Sequence, residues 1–391
     1  MEAVELLECI ARGEDSRHQF KREMNNPEAL ASEFVAFSNA SGGLLIIGVD
    51  DDGTIVGLSA SQIRNLNLLV SNASSQGMNP AINVETENIQ LPQGLVMVIT
   101  VPEGISKPYM DKNGIIWIKT GSDKRKATSR EEIQRIFQKE GIIHADETAV
   151  NGLSSADIDM NYFKTFFQKQ FGYPFDSQAN PLPVVLQNMN LARSSSLTIA
   201  GAVLFAKDAY YRLPSFTVKV VVFKGTRVED TSYIDKREIK GKLADIFQQT
   251  VSFILMNISH VQNNQNFNSN GESIIPRPVI EELVANALVH RDYFVPSSVK
   301  VFIFSDRIEI ISPGHLPNNL TVENIKAGNS VSRNPVIASY AANLLPYSGI
   351  GTGIRRALRL YPAIDFIDDR DGNQFQVVIR LSMIEKNIVV S

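Results

Sequence analysis

Several features that mark whole classes of protein are missing from this sequence. Cys9 is the single cysteine, which excludes an intramolecular disulfide framework, and no group of cysteines and histidines has the spacing of a zinc site. No apolar run reaches the length of a membrane span. The acidic N-terminus lacks the basic start and apolar segment of a secretion signal. We therefore expect a cytoplasmic protein with no membrane partner.

The sequence also lacks an excess of basic residues. It has 38 lysines and arginines against 42 aspartates and glutamates, a net charge of −4. Because such a chain has no overall positive field, any contact with nucleic acid must use a local basic patch. Its 391 residues, 43% of them hydrophobic, are enough for two or three domains with their own cores.

The first 145 residues mix helical and strand patterns. A helix predicted over 28–39 ends at a Ser-Gly-Gly sequence and is followed by a buried strand over 44–49. Ser129, with Glu132 three residues later, forms a capping-box pattern that begins a closing helix. Further strands are indicated over 94–101 and 114–121. Together they predict an α+β domain over 1–145.

The rest of the chain divides into a connector and a second domain. The stretch from 145 to about 190 is polar and Asn-rich and contains Pro181 and Pro183, so we expect a connector over 146–210. Residues 211–391 alternate helices with strands, so we expect helices on one face of an antiparallel sheet. The expected elements are a helix over 239–260, a loop over 261–273, a helix from 280, strands over 298–306 and 307–314, helices over 336–345 and 354–360, and a strand over 375–383.

Residues 281–293, "EELVANALVHRDY", are the first stretch that suggests chemistry. Their apolar residues recur at helical spacing, and Glu282 and Asn286 lie four residues apart, one turn apart on the same helix face. A carboxylate and an amide so placed can hold a water molecule and a hydrated cation. The alternative is an ordinary helix whose polar pair faces solvent.

A glycine-rich stretch is the second part of the sequence that suggests chemistry. Gly349, Gly351 and Gly353 alternate directly before the helical "IRRALRL". Free backbone N–H groups next to a helix N-terminus favour the binding of an anion such as phosphate. The alternative is a flexible turn that allows a close approach of the helix.

These two stretches, with "ISPGHLP" between them, resemble the GHKL ATPases, the group that includes gyrase B and the sensor histidine kinases. The resemblance implies Glu282 as the water-activating base, Asn286 as a magnesium ligand, and Gly349, Gly351 and Gly353 as the phosphate loop. Gly314 matches the earlier glycine box. The expected ligands are ATP or ADP with Mg²⁺, the expected activity at most a weak ATPase, and pairing into a homodimer is common in the group.

The resemblance leaves the roles of two further residues of the expected cleft open. Ser312 stands where the group has an aspartate that reads adenine; a serine hydroxyl can still accept from an exocyclic amine, but it is shorter and uncharged. Arg333 in "SRNP" could donate to a phosphate, and a structural salt bridge is the alternative.

Three stretches of the N-terminal part, "GEDSRHQFKRE", "AFSNASGGLLIIGVDDDGTIVGL" and "IWIKTGSDKRKA", resemble the Schlafen AlbA-type domain. In bacterial proteins labelled RecG-like or transcriptional regulators, this domain precedes a divergent GHKL domain. The combined resemblance implies an AlbA-like α+β domain followed by a GHKL-like two-layer α/β sandwich over 211–391.

The AlbA-type resemblance implies nucleic-acid binding, with DNA as the expected partner and RNA as a second candidate. The cations that could meet phosphates are Lys21, Lys119, Lys124, Arg125 and Lys126. A solvated charged loop is the alternative explanation of the "DKRK" run.

Some Schlafen relatives are metal-dependent RNA-cleaving enzymes with two glutamates and an aspartate in the site. Glu14 and Asp50 match two of these positions, but Gln19 replaces the second glutamate, which weakens a site for divalent cations. We therefore expect a nucleotide-gated DNA-binding regulator. A Schlafen-like nuclease and a catalytically idle nucleotide-sensing scaffold are the alternatives.

Overall fold

The computed structural model describes residues 1–227, 233–258, 260–261, 272–317, 320–347, 349 and 351–381. The chain divides into two compact units, Met1–Ile142 and Ile143–Ser391. The first boundary lies within three residues of the predicted end of the α+β domain at 145.

The helices of the described residues are α1 Ala3–Arg12, α2 Pro27–Asn39, α3 Ala60–Ser75, α4 Arg130–Lys139, α5 Met160–Phe171, α6 Leu182–Asn188, α7 Ile199–Phe205, α8 Leu243–Asn257, α9 Arg277–Val289, α10 Val322–Lys326, α11 Pro335–Leu344 and α12 Gly353–Leu360. Short 3₁₀ turns lie at Ala145–Glu147, Ser155–Asp157, Phe175–Ser177 and Ala209–Tyr211. None of the described helices combines the length and the apolar character that a membrane span requires.

The strands are β1 His18–Lys21, β2 Gly43–Ile47, β3 Met78–Asn79, β4 Glu85–Leu91, β5 Gly94–Val101, β6 Met110–Asp111, β7 Trp117–Thr120, β8 Asp123–Lys126, β9 Ala192–Arg193, β10 Ser196–Leu197, β11 Val218–Phe223, β12 Tyr233–Ile239, β13 His260–Val261, β14 Glu272–Ser273, β15 Val299–Ile303, β16 Arg307–Pro313, β17 Ile364–Asp369 and β18 Gln374–Arg380.

The first unit is a sheet covered by helices on both faces. Its strands run in the order β1-β2-β5-β4, with β1 parallel to β2 and the other pairs antiparallel. Alternate residues of β2 point to opposite faces: Leu45 and Ile47 pack with α2 and α3, whereas Ile46 packs with Leu6 and Cys9 of α1. β7 and β8 form a separate antiparallel hairpin.

The second unit is built on a mostly antiparallel sheet. Among the described residues its order is β12-β11-β15-β16-β18-β17, and only the β11–β15 pair is parallel. In β15 the buried residues alternate, at Val299, Val301 and Ile303. One face of the sheet is therefore packed on helices, among them α9 against β16 and α8 against β11. The α+β class expected from the sequence is confirmed.

The segment 146–210, expected as a connector, belongs to the core of the second unit. It folds into α5, α6 and α7, and its buried side chains join the same hydrophobic cluster as those of α9 and β15. Phe205 lies 5.2 Å from Phe163 and 4.8 Å from Phe166, measured between ring centroids. The prolines and asparagines lie mainly between short helices, and the phenylalanines within α5 supply a buried face.

The other predicted elements correspond closely to the structure. The helix predicted over 28–39 is α2, and the closing helix is α4, whose Ser129 accepts from the backbone N–H of Glu132. The helix over 239–260 is shorter, Leu243–Asn257. Most of the predicted loop over 261–273 lies outside the described residues, as do positions 348 and 350 of the glycine stretch and the last two residues of the strand predicted over 375–383.

Candidate functional site

Helix α9 brings together the acidic and amide side chains that the sequence singled out. Pro278 stands in its first turn, where the missing N–H costs no hydrogen bond. One turn apart, the Asn286 Nδ2 donates to the Glu282 Oε1 at 2.8 Å and to the Glu282 carbonyl oxygen at 2.7 Å. The predicted pair is therefore a real side-chain contact, and it fixes the position of the carboxylate.

Helix α12 closes on the same carboxylate from the other side. A Cβ atom on Gly353 would overlap the Glu282 carboxylate, so this position requires a glycine for the close approach of α12 to α9. The Arg356 Nη2 donates to the Glu282 Oε2 at 2.9 Å. Glu282 is only 3% exposed, yet each carboxylate oxygen has a second lone pair with which it can accept from water or ligand.

The glycine stretch before α12 has the backbone that a left-handed turn needs. Gly351 has a φ of +76°, and a Cβ there would lie 2.5 Å from the Gly328 carbonyl oxygen. Thr352, at the N-cap of α12, makes no side-chain cap hydrogen bond. The N–H groups of the first turn of α12 are therefore not capped by Thr352, which is the arrangement that binds anions.

The end of β16 supplies Ser312 and Gly314. The Ser312 hydroxyl is buried and donates to the Ala287 carbonyl oxygen of α9 at 3.0 Å. Because its proton is used in this bond, the Ser312 oxygen presents only acceptor lone pairs to a further partner. Gly314 packs against Arg333 and Asp292, and its N–H donates to the Asn373 carbonyl oxygen at 2.8 Å.

Arg333 contacts other protein groups rather than pointing into a ligand site. Its Nη2 donates to the His315 carbonyl oxygen at 2.5 Å, and its Nη1 lies 3.8 Å from the Asp292 Oδ2. It does not line the cleft described below, and burial lowers its pKa. The geometry thus favours the salt-bridge alternative for Arg333, whose guanidinium holds the turn after β16.

These elements enclose one cleft of about 970 Å³, part of which is open to solvent. Its walls are mostly apolar with a few polar groups, as is usual for ligand sites. Of the residues predicted for a site, Glu282, Asn286, Ser312, Gly314, Gly349, Gly351 and Gly353 all line it. The apolar wall includes Leu283, Ile310, Leu316, Ile354, Phe366 and Val377.

A histidine and a tyrosine in the cleft wall were not predicted as site residues. The His290 Nε2 and the Tyr347 hydroxyl oxygen are 2.8 Å apart. Burial, and secondarily the charge of Arg333, lower the pKa of His290 to about 4, so its ring is neutral at pH 7. Burial, and secondarily the charge of Glu282, raise the pKa of Tyr347 to about 12. Nothing in the sequence pattern indicated Tyr347, because its position depends on the fold of the chain before the glycine stretch.

In the first unit, the predicted basic residues are divided by the β7–β8 hairpin. Lys119 pairs with Lys124 across the hairpin, and both side chains turn inward. The Lys119 Nζ donates to the Gln19 Oε1 at 2.8 Å, and burial lowers the pKa of Lys119. The Lys124 Nζ lies 2.7 Å from the Glu33 Oε1, an ion pair in which Glu33 is buried. Two of the five predicted cations are therefore engaged inside the unit.

The remaining predicted cations are more exposed. Arg125 forms a two-bond contact with Glu132, at 2.6 and 3.0 Å. The Lys126 Nζ lies 5.1 Å from the centre of the Trp117 ring and makes no ion pair within the described part of the chain. Lys21 lies 3.4 Å from the Asp51 carboxylate, a long contact. Lys126 is thus the predicted cation most available to a phosphate, followed by Lys21 and Arg125.

The two carboxylates proposed for a nuclease are held by separate partners. The Glu14 Oε1 accepts from the backbone N–H of Phe20 at 2.7 Å, and the Asp50 Oδ2 accepts from Arg22 at 3.1 Å. Gln19, at the position of the missing second glutamate, is buried against Lys119. No group of three acidic, histidine or cysteine side chains among the described residues could hold a metal ion.

Comparisons with known families place one match in each compact unit. Residues 14–128 match the family described as "Schlafen, AlbA_2", and residues 297–379 match the family described as "Putative ATP-dependent DNA helicase recG C-terminal". The chain therefore carries a Schlafen AlbA_2 domain followed by an ATPase-like RecG C-terminal domain, which confirms the assignment made from its motifs.

Two solved structures are similar to the chain. The DIP2311 protein from Corynebacterium diphtheriae is 19% identical, over 96% of this chain and 79% of that chain, with a TM-score of 0.46. The N-terminal domain of a "Putative ATP-dependent DNA Helicase RecG-related Protein" from Nitrosomonas europaea is 24% identical, over 33% of this chain and 96% of that chain, with a TM-score of 0.25. None of the curated proteins compared with the chain matches it.

Proposed function

We propose that this chain, with its Schlafen AlbA_2 domain and its ATPase-like RecG C-terminal domain, binds ATP in the second unit and thereby controls nucleic-acid binding by the first. The observation that carries the proposal is the convergence of Glu282, Asn286 and the first turn of α12 in one cleft. A carboxylate, an amide and uncapped N–H groups are the parts that nucleotide binding and hydrolysis require.

Each part of the cleft suits one part of the ligand. The phosphates bind at Gly349, Gly351 and Gly353, where backbone N–H groups and the α12 dipole favour negative charge. The base lies against the apolar wall, with its exocyclic amine donating to Ser312. Because the Ser312 proton is already bonded to Ala287, the site suits the amine of adenine and disfavours the carbonyl of guanine.

The residues present fit a hydrated magnesium ion. The Nδ2 of Asn286 is bonded to Glu282, which leaves the Asn286 Oδ1 as a neutral oxygen ligand. Since Mg²⁺ usually keeps several waters and takes other ligands from phosphate, one protein oxygen is sufficient. When bound, the ion neutralises phosphate charge. Glu282 then orients the attacking water and accepts its proton.

Control of the first unit can begin at the chain segment that enters the second. The Asp146 Oδ2 accepts from the backbone N–H of Ile337 in α11 at 2.9 Å, and the His144 Nδ1 lies 3.3 Å from the Arg333 carbonyl oxygen. Residues 329–331, just before Arg333, line the cleft. A ligand that moves residues 329–331 would therefore act on residues 144–146, directly after the first unit ends.

Calorimetry with ATP, ADP and GTP in the presence of Mg²⁺ tests the nucleotide site. We expect ATP to bind about tenfold more tightly than GTP, because guanine leaves the Ser312 acceptor unpaired. If neither ATP nor ADP binds, the proposed function is wrong.

Binding of labelled DNA and RNA by the full chain, with and without ATP and Mg²⁺, tests the control. Linkage requires that nucleic acid change the ATP affinity by the same factor as ATP changes the nucleic-acid affinity. Equal nucleic-acid affinities with and without ATP would contradict the control. Metal-dependent strand cleavage lost in Glu14→Ala or Asp50→Ala would favour the nuclease instead.

A further inference from the structure

Arg356 reaches the Glu282 carboxylate from α12, the helix that follows the glycine stretch. It stands three residues after Gly353, in the first turn of α12, and its Nη2 donates to the Glu282 Oε2 at 2.9 Å. Its side chain is 44% exposed, whereas that of Glu282 is 4% exposed. The Nε and Nη1 of Arg356 make no hydrogen bond within the described residues. Part of its donor fork is therefore free.

We propose that Arg356 is a positioning residue that joins Glu282 to the terminal phosphate of bound ATP. The proposal rests on the nucleotide site described above and names a residue to which the sequence motifs assigned no role. A guanidinium presents donors along two edges, so it can hold a carboxylate with one nitrogen and a phosphate oxygen with another.

The geometry gives Arg356 a role that Asn286 cannot fill. Asn286 holds Glu282 from within its own helix, α9, and therefore does not connect the carboxylate to α12. Arg356 belongs to α12, whose first turn follows the phosphate loop. A contact from α12 to the carboxylate thus places the attacking water relative to the phosphate that it attacks. Such alignment acts on turnover more than on the binding of a nucleotide that lacks the terminal phosphate.

The test compares Arg356→Ala with Arg359→Ala, which removes the same charge from the exposed last turn of the same helix. Affinities are measured for ADP and for a non-hydrolysable ATP analogue, together with kcat and KM for ATP. In Arg356→Ala we expect the affinity for the analogue to fall about tenfold, as for the loss of a charge-assisted hydrogen bond, while the affinity for ADP changes less than about twofold. Arg359→Ala should leave both affinities unchanged.

A second variant separates charge from geometry. Arg356→Lys keeps the positive charge but loses the planar fork, so it should recover part of the affinity for the analogue and little of kcat. Thermal unfolding of each variant shows whether α12 still packs. If Arg356→Ala does not fold, the Arg356→Lys comparison decides: full recovery of kcat with the lysine would overturn the proposal.

The outcomes also separate this inference from the proposed function. If the unmodified chain binds neither nucleotide, the nucleotide site itself is wrong. If it binds both, and Arg356→Ala weakens ADP and the analogue equally or not at all, only the role of Arg356 is wrong. If the unmodified chain binds ATP without turnover, the ratio of the two affinities still decides.

Discussion

The cleft at α9 and α12 and the β7–β8 hairpin both contain charged residues that the sequence singled out, but the fold treats the two sets differently. In the cleft, Glu282 and Asn286 lie together, as expected from four-residue spacing in a helix. In the hairpin, Arg125 points away from Lys124 and Lys126, because neighbours in a strand point to opposite faces. Of the two lysines on one face, Lys124 pairs with the buried Glu33, whereas Lys126 is exposed. Consecutive charges in a strand therefore do not make a continuous patch.

The largest effect on the cleft is expected from substitutions that disrupt the packing of α12 against α9. In Gly353→Ala the added Cβ would overlap the Glu282 carboxylate, and in Gly351→Val it would meet the Gly328 carbonyl oxygen. We expect either change to abolish nucleotide binding measured by calorimetry. Arg359→Ala is the control, since it changes the exposed last turn of α12 and Arg359 does not line the cleft. Wild-type affinity in Gly353→Ala would show that the cleft does not need the close approach of α12.

The next largest effect concerns turnover in the cleft. If the protein hydrolyses ATP, Glu282→Gln should lower kcat by roughly 10²–10⁴ with little change in ATP affinity, because it removes the general base. Glu281→Gln is the control: this carboxylate pairs with Arg277 at 2.7 Å and does not line the cleft. Equal losses of kcat in the two variants would rule out the special role of Glu282.

Stability measurements should distinguish the inward and outward residues of the hairpin. Lys124→Ala leaves the buried Glu33 without its cation, so we expect a loss near the lower end of the ~3–5 kcal/mol typical of broken buried pairs. Arg125→Ala breaks an exposed pair and should cost at most about 1 kcal/mol. Trp117 is the single tryptophan, so its fluorescence during urea denaturation follows the first unit. Equal losses of unfolding free energy in Lys124→Ala and Arg125→Ala would mean that the Lys124–Glu33 pair is not effectively buried.

A buried carboxylate of the second unit should make stability fall as pH rises, the opposite of what an ion-paired carboxylate does. Asp146 accepts backbone hydrogen bonds, and its burial raises its pKa from 3.8 to about 6. The folded state therefore keeps a proton that the unfolded chain has already lost, so stability falls as pH rises from about 4 to 6 and levels off above 6. The total contribution is up to about 3 kcal/mol.

Asp146→Asn, which keeps an oxygen acceptor for Ile337, should remove this dependence. Urea denaturation followed by circular dichroism between pH 4 and 7 gives the comparison. A variant that retains the full decline between pH 4 and 6 would exclude Asp146 as its source.

The smallest expected effect concerns nucleic-acid binding by Lys126, the exposed lysine at the end of β8. Each lost phosphate contact should reduce the slope of log affinity against log salt by about one unit on duplex DNA. We expect Lys126→Ala to give such a reduction with unchanged stability, and Lys21→Ala to give no more. An unchanged slope in Lys126→Ala would exclude Lys126 from the nucleic-acid surface.

Much of the fold could be read from local patterns. The Ser-Gly-Gly stop marked the end of α2, the capping-box pattern predicted α4, the spacing of apolar residues predicted α9, and apolar runs predicted β5, β15 and β16. The segment 146–210 was misjudged because its polar composition concealed short helices, whose Phe163, Phe166, Phe167 and Phe205 pack in one core. Composition averaged over a segment does not show which side chains face inward.

The sequence by itself determined the pairing of Glu282 with Asn286 and the glycines before α12, because helix geometry and the lack of a Cβ are local properties. Only the tertiary structure decided that Arg356 reaches Glu282, that Tyr347 meets His290, that Arg333 turns away from the cleft, and that Lys119 and Lys124 face inward. These contacts join residues distant in the chain. Their geometry depends on how helices and strands pack, which no spacing within one element specifies.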